Sequence, residues 1–241
     1  MTVPRGTTPA GAQTEEEAAR YVRGMFGRVA RRYDLLNHLL SFQIDRYWRR
    51  RTVARVRAIL ERRDARVLDI CCGTGDLTLA IGDKSTGMVM GSDFCHPMLE
   101  QAQRKGVRRL VEADALQLPF RDETLDLVTV AFGFRNFANY RRGLEELRRV
   151  LKPGGTLAVL EFSTPPNRAF RALYDWYSKH LLPRIGALFS GSSDAYRYLP
   201  ESVRKFPGAE ALAAEMRQAG YAMVQHEYFT WGIVALHIAR R

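Results

Sequence analysis

Three carboxylates, Asp69, Asp93 and Asp114, stand at or near the ends of successive apolar runs, and a glycine turn, Cys72-Gly73-Thr74-Gly75-Asp76, follows the first of them. Gly73 and Gly75 have no Cβ, so the backbone there can take positive φ and approach a ligand closely. Asp93 lies 18 residues beyond Gly75, at the end of the second apolar run. A carboxylate in that place can accept both hydrogens of a ribose diol. Asp114-Ala115 opens the loop Asp114-Ala115-Leu116-Gln117-Leu118-Pro119-Phe120, where an acid and the backbone can address adenine while apolar neighbours cover the ring. A dinucleotide turn would carry a third glycine to let its helix pack closely on the strand; that position is Thr78 here. Pyrophosphate is therefore disfavoured.

An acidic approach through Asp69 suits a cationic, phosphate-free ligand, and S-adenosylmethionine, with its sulfonium and amino group, meets that description. Thr74, Asp93, Asp114, Ala115, Gly73 and Gly75 are the cofactor-binding candidates. The elements that must position them follow from the alternation of apolar runs (residues 66–70, 87–92, 108–112, 125–131 and 156–162) with helical patterns, which argues for a parallel sheet with crossover helices. Lys152-Pro153-Gly154-Gly155 reads as a turn before the fifth run. Upstream, Thr14 followed by Glu17 is a capping-box pattern, so residues 1–13 are expected as a flexible tail and residues 14–60 as a helical cap. Downstream, a helical and loop-rich insertion over residues 167–207 precedes a helix at 209–219. Two last strands near 221–230 and 233–239 are expected to pair antiparallel through Trp231-Gly232.

With 241 residues and 46% hydrophobic content, the chain can bury a full core, and one domain over residues 14–241 accounts for it. The net charge is +11, and 32 of the 37 basic residues are arginine. No helix-turn-helix, zinc or aromatic RNA-binding signature accompanies that charge, so no nucleic-acid partner is expected. A nicotinamide oxidoreductase would share the fold class, yet the third glycine and a placed hydride-transfer pair are both missing. Cys71, Cys72 and Cys95 have neither Cys-x-x-Cys spacing nor paired histidines, and read as reduced and cytosolic. His38, His96, His180, His226 and His237 are scattered singly, so no metal is expected. The first residues lack the apolar run of a signal peptide, and no stretch approaches the roughly 18 apolar residues of a membrane span.

The chain resembles the C-methyltransferases of menaquinone and ubiquinone biosynthesis, on Tyr33-Asp34-x-x-Asn37, Ser41-Phe42, Arg46-x-Trp48-Arg49, the Cys72–Asp76 turn, Phe132-Gly133-Phe134-Arg135-Asn136, Arg148–Gly155, Arg197-Tyr198-Leu199-x-Glu201-Ser202 and Gly232–His237. The resemblance covers nearly everything after residue 25. It implies the class I S-adenosylmethionine-dependent methyltransferase fold: a Rossmann-like α/β architecture, with a mostly parallel seven-stranded sheet. It also implies methyl transfer to a ring carbon of a polyprenyl quinol. Cys71-Cys72 looks like menaquinone-type members, so demethylmenaquinol is the expected acceptor, with a ubiquinone-pathway benzoquinol or another small molecule as the alternative. The family's cofactor contacts carry over to Thr74, Asp93, Asp114 and Ala115. Some members have a serine where this chain has Ala131.

Carbon methylation needs an ionised ring hydroxyl, and a phenol has a pKa of about 10, so a nearby cation or donor must stabilise the phenolate. Arg135, Asn136 and Tyr33 are the catalytic candidates: Arg135 for the phenolate, the other two to orient it or a water. Arginine cannot serve as the base, which leaves a water or Asp34. The alternative for Arg135 and Tyr33 is a structural ion pair and packing. The insertion carries Tyr174, Trp176, Tyr177, Leu181, Leu182, Ile185, Leu188 and Phe189, which suit a polyprenyl passage, an ordinary cap core or a homo-oligomer surface equally. Six arginines, at 46, 49, 50, 51, 55 and 57, interleave with apolar residues. They fit either attraction of a cytoplasmic protein to the inner, anionic face of the membrane or a solvated helix face.

Overall fold

The computed structural model of the chain describes residues 6–9, 11–30, 33–34, 43–172, 174 and 193–241. Helix α1 (Glu15–Val29) starts at a reciprocal cap: Glu17 N donates to Thr14 Oγ1 at 3.1 Å, and Thr14 N donates to Glu17 Oε2 at 3.2 Å. That exchange satisfies two of the donors a helix start leaves open. Helix α2 (Ile44–Leu60) is a separate element, so the helical pattern read through Leu60 is broken. Most of the residues between the two helices fall outside the described ones.

The remaining elements are β1 (Arg66–Ile70), α3 (Asp76–Gly82), β2 (Met88–Asp93), α4 (His96–Arg104), β3 (Leu110–Glu112), β4 (Leu125–Ala131), α5 (Tyr140–Val150), β5 (Leu151–Phe162), α6 (Ser193–Lys205), α7 (Ala209–Gln218), β6 (Ala222–Phe229) and β7 (Val234–Arg240). They build a seven-stranded sheet in the order β3-β2-β1-β4-β5-β7-β6. β1 to β5 pair in parallel, and β7 runs antiparallel to both β5 and β6. The expected strands are all present, with one difference. β5 begins five residues earlier than the apolar run, because Lys152–Gly155 is a bulge inside it rather than a turn before it. Leu125 pairs with Leu151, Leu127 pairs with Thr156, and Gly154 takes φ +75° to absorb the extra residues.

Both faces of the sheet are covered, as a parallel sheet requires. Leu68, Val128, Val130 and Val159 face α5 and α7, whose Leu144, Leu147, Leu212 and Met216 are buried against them. Val67, Leu127 and Leu160 face Trp48, Val56, Leu77 and Ile81 of α2 and α3. The spacing of Tyr140, Gly143, Leu144, Leu147 and Val150 puts one apolar stripe of α5 on the sheet. Asn139 caps that helix by accepting from Arg142 N at 3.1 Å.

Two expectations meet a different outcome at the edges of the domain. Residues 6–9, read as part of a frayed tail, lie against the segment after β4. Thr7 is buried, its N–H donates to Phe137 O at 2.8 Å, and Lys205 Nζ donates to Thr8 O at 3.0 Å. Most of the apolar residues singled out in the insertion, from Trp176 to Phe189, lie outside the described residues.

Candidate active site

The C-terminal ends of β1, β2 and β4 open onto one cavity. Gly73, Asp93, Asp114 and Ala115 form part of its wall, and Tyr33, Phe132, Gly133 and Asn136 form another part. The turn after β1 reaches it through backbone that only certain residues adopt: Gly73 has φ +55° and Gly75 has φ +85°. A Cβ on Gly75 would sit 2.6 Å from Val107 Cγ2, so this glycine also lets the turn close on the end of α4. Cys71 and Phe132, one residue beyond β1 and β4, both hold positive φ without being glycines. A Cβ on Gly133 would lie 2.3 Å from Cys71 Cβ, which is how near these two strand ends come. Strained backbone of this kind costs about 1–3 kcal/mol per residue and collects at ligand sites.

Asp93 ends β2 with both oxygens already anchored: Gly73 N donates to Oδ2 and Cys95 N to Oδ1, each at 2.9 Å. The spare lone pairs remain for a ligand's hydroxyls. Burial pushes this carboxyl up to about 6, against the pull of the Cys95 and Gly73 N–H groups. Asp114 folds its own loop, accepting from Leu116 N at 2.9 Å, and brings Ala115 and Leu116 to the cavity. Asp69 does not line the cavity. It is a strut inside the sheet, accepting from Thr78 Oγ1 at 2.6 Å and Thr129 Oγ1 at 2.7 Å, and burial raises it to about 6. The acidic approach inferred from it is therefore supplied by Asp93 and Asp114.

Thr74 and Gly75 are also off the wall. The Thr74 hydroxyl donates to Asp34 and accepts from Lys105 Nζ at 3.2 Å. Lys105 bonds Asp34 at 2.8 Å and also Asp76, while Arg49 bridges Asp76 at 2.9 Å and Asp45 at 2.6 Å. This cluster ties the helical cap to the glycine turn and occupies Asp34, one of the two candidate bases. Its neighbour Tyr33 is thereby held over the turn, where a Cβ on Gly73 would be 3.8 Å from the Tyr33 ring.

The second wall rests on a 3-10 turn, Phe134–Asn136. Asn136 faces the cavity; Arg135 does not. Arg135 is buried beneath it, with Nη1 donating to Glu161 Oε1 at 3.0 Å and to Phe132 O, and its backbone N donating to Glu161 Oε2 at 3.2 Å. The guanidinium carbon lies 5.3 Å from the centre of the Phe162 ring. Burial raises the Glu161 carboxyl, against the Arg135 charge that lowers it. The geometry of the structural alternative for Arg135 is thus present: side chain and backbone of the turn are bound to one carboxylate.

Sequence reasoning gave no role to Glu161, Tyr198, Lys105 or Thr7. Glu161 had a signal, an acid inside the apolar run 156–162, and Tyr198 sat in a quoted family segment. Lys105 and Thr7 had none. Among the described residues no three side chains of metal-binding type come together.

The sheet order, the glycine turn and the carboxylate at the end of β2 define a Rossmann-like methyltransferase fold. A solved S-adenosylmethionine-dependent methyltransferase from Thermotoga maritima shares it, with a TM-score of 0.62 at 20% identity over 90% of this chain and 98% of that one. The chain belongs to the ubiE/COQ5 methyltransferase family, whose profile matches residues 13–241. It is 51% identical to the demethylmenaquinone methyltransferase of Thermus thermophilus, over 90% of this chain and all of that protein. It is 42% identical to the ubiquinone/menaquinone biosynthesis C-methyltransferase UbiE of Proteus mirabilis, over 96% of this chain and 95% of that one.

Proposed function

We propose that the protein transfers a methyl group from S-adenosylmethionine to a ring carbon of demethylmenaquinol, giving menaquinol. The observation that carries this reading is a single cavity with two unlike walls, one of strand-end carboxylates and glycine backbone, the other aromatic with Asn136 and Tyr33. The greater identity to the demethylmenaquinone enzyme than to the dual-pathway relative favours the naphthoquinol over a benzoquinol.

S-adenosylmethionine would supply an electrophilic methyl carried on a sulfonium. Asp93 accepts the ribose hydroxyls, Gly73 gives the backbone room, and Asp114, Ala115 and Leu116 receive the adenine. Thr74 and Gly75 act one step behind, by shaping the turn. On the acceptor, one ring hydroxyl would lose its proton, the adjacent carbon would form the new C–CH3 bond as the S–CH3 bond breaks to leave the neutral thioether, and that carbon would then lose its hydrogen as a proton while the ring oxygen takes one back, so that one proton is released in all. Asn136 donates to the ring oxygen, which lowers the cost of the phenolate. Tyr33 closes the cavity over it. Arg135, paired with Glu161, holds the turn that presents Asn136. A water is the better base than Asp34, whose oxygens are taken by Lys105 and Thr74.

The acceptor is lipid-soluble, and the reading includes a peripheral contact of this cytoplasmic protein with an anionic membrane. Four of the six arginines on α2 have carboxylate partners: Arg49, Arg51, Arg55 and Arg57. The basic stripe as a whole is therefore a poor membrane surface. The better support is the turn after β6, which runs parallel to β1 and so ends on the cavity side of the sheet. There Trp231 is 77% exposed with its ring centre 5.0 Å from that of Phe170, and Tyr47 is 51% exposed with its ring centre 6.2 Å from that of Phe229, while Arg46 beside Tyr47 and Arg168 two residues before Phe170 in the chain are exposed. Aromatic tips with arginine at their rim suit a lipid interface. Among the described residues no helix is long and apolar enough to cross a membrane.

The test is methyl transfer from isotopically labelled S-adenosylmethionine to chemically reduced demethylmenaquinone and, separately, to the benzoquinol analogue. Label on the naphthoquinol alone is expected. Label on both makes the enzyme dual-pathway, and label on neither, with S-adenosylmethionine bound, overturns the reading. Sedimentation with anionic vesicles at two salt concentrations checks the membrane contact, which Trp231→Ala should weaken.

A further inference from the structure

Asn136 reaches the cavity with a side chain that has two faces of nearly the same shape. One face donates two hydrogens and the other only accepts, so a half-turn of the carboxamide reverses what it offers a ligand. A donor is needed if Asn136 is to meet a ring oxygen that is gaining negative charge. Something must therefore hold the amide one way round, and it must come from behind the cavity wall.

The hydroxyl of Tyr198 stands there. It donates to Asn136 Oδ1 at 2.9 Å, which leaves Nδ2, without a partner among the described residues, for the cavity. Having spent its one hydrogen on Asn136, Tyr198 Oη accepts at its other contact, from Thr7 Oγ1 at 2.8 Å. Tyr198 is 6% exposed, its ring packs against Val22 and Met25 of α1, and its hydrogen bond to Thr7 is buried. A phenylalanine would fill the same hole. The hydroxyl is there for its two polar partners.

Thr7 is fixed just as firmly, by a stretch of chain with no secondary structure of its own. Its N–H is bound by Phe137 O, Thr8 O is bound by Lys205 Nζ, and a Cβ on Gly6 would fall 1.9 Å from Ala138 O. The N-terminal strap is thus fitted to the segment that carries Asn136. The chain Thr7–Tyr198–Asn136 joins residues 191 and 62 positions apart in sequence.

We propose that Thr7 and Tyr198 are positioning residues for methyl transfer, a hydroxyl chain that holds the Asn136 carboxamide with its NH2 group toward the acceptor's ring oxygen. The N-terminal strap is then part of the reaction machinery. This rests on the reading above that Asn136 donates to that oxygen.

The experiment compares Asn136→Ala, Tyr198→Phe, Thr7→Val, Thr7→Ser and the double variant Tyr198→Phe/Asn136→Ala in the full-length enzyme. The readouts are kcat for reduced demethylmenaquinone, its pH profile, S-adenosylmethionine affinity and melting temperature. Tyr198→Phe is expected to lower kcat about tenfold and Thr7→Val about threefold, the scale of one well-placed hydrogen bond, with cofactor affinity unchanged. The rising limb of the profile, set by ionisation of the acceptor hydroxyl, should move to higher pH in both, as the phenolate loses its donor. Thr7→Ser should restore the parent rate. In the Asn136→Ala background Tyr198→Phe should have no further effect, because a chain acting through one residue is lost with it. Additive losses, or an unchanged kcat in Tyr198→Phe while Asn136→Ala is slow, overturn the proposal. Full activity in Asn136→Ala removes the donor reading itself and this inference with it.

Discussion

The two walls of the cavity are built in different ways. The wall proposed to hold the cofactor comes from chain that is nearly continuous: the turn after β1, the end of β2 and the loop after β3 span residues 71–116, and parallel pairing delivers them to one edge of the sheet. Its key bonds run between neighbouring strands, as Gly73 N to Asp93 does. The wall proposed to face the methyl acceptor is gathered from segments near residues 7, 33, 135, 161 and 198. Its polar groups reach the cavity through partners far away in sequence. The first wall is set by strand register, which is hard to shift without losing the sheet. The second is set by side-chain chains that single substitutions can cut while the sheet stands.

If that difference holds, breaking the first wall should abolish binding, and breaking the second should slow chemistry with binding intact. The largest effect is expected from Asp93→Ala, which removes the proposed ribose acceptor and orphans two backbone donors. S-adenosylmethionine affinity should fall by about 100-fold or more, as two hydrogen bonds to a charged group predict. The sign with pH is fixed as well: ligand hydroxyls favour the carboxylate, so affinity should drop as pH falls through about 6 and level off above it. Calorimetric titration between pH 5 and 8 would show both.

Arg135→Lys comes next and tests the second wall. A lysine replaces the flat guanidinium over the Phe162 ring with a compact, strongly hydrated ammonium on a flexible stem, so turnover should fall by about 30-fold with cofactor affinity within twofold. Parent-like turnover would take Arg135 out of the reaction altogether. Lys105→Met probes the cluster that joins the walls. The KM for S-adenosylmethionine should rise about fivefold and kcat should fall less, consistent with partly exposed ion pairs worth about 1 kcal/mol.

The smallest effect at pH 7 is expected inside the sheet. Burial raises Asp69 to about 6 from its ordinary 3.8. A carboxyl raised on folding adds stability below its unfolded pKa and loses it as pH rises through its folded one, here about 3 kcal/mol between pH 4 and 7. Asp69→Asn should leave stability at pH 7 within about 1 kcal/mol of the parent and flatten its pH dependence over that window. Denaturant titrations at pH 4 and 7 measure it, and an unaltered slope would remove Asp69 as its source.

The sequence by itself determined the sheet and one wall. Apolar runs of strand length alternating with helical stripes leave one way to bury both faces of a parallel sheet. Once the strands stand in register, the residues just past β1, β2 and β3 must share an edge, so Gly73, Asp93, Asp114 and Ala115 were legible as a group. Tertiary structure alone decided which side chains at that edge face a ligand. Asp69 and Thr74 have the right types in the right run, but Asp69 turns into the sheet and Thr74 turns toward Lys105, because alternate residues of a strand point to opposite faces and a turn sends its side chains outward. It also decided that Arg135 is a buried partner of Glu161, and that the strap at Thr7 meets Tyr198 behind Asn136. No periodicity encodes such contacts, since they form between segments whose spacing in the chain is arbitrary and whose meeting depends on how the whole core packs.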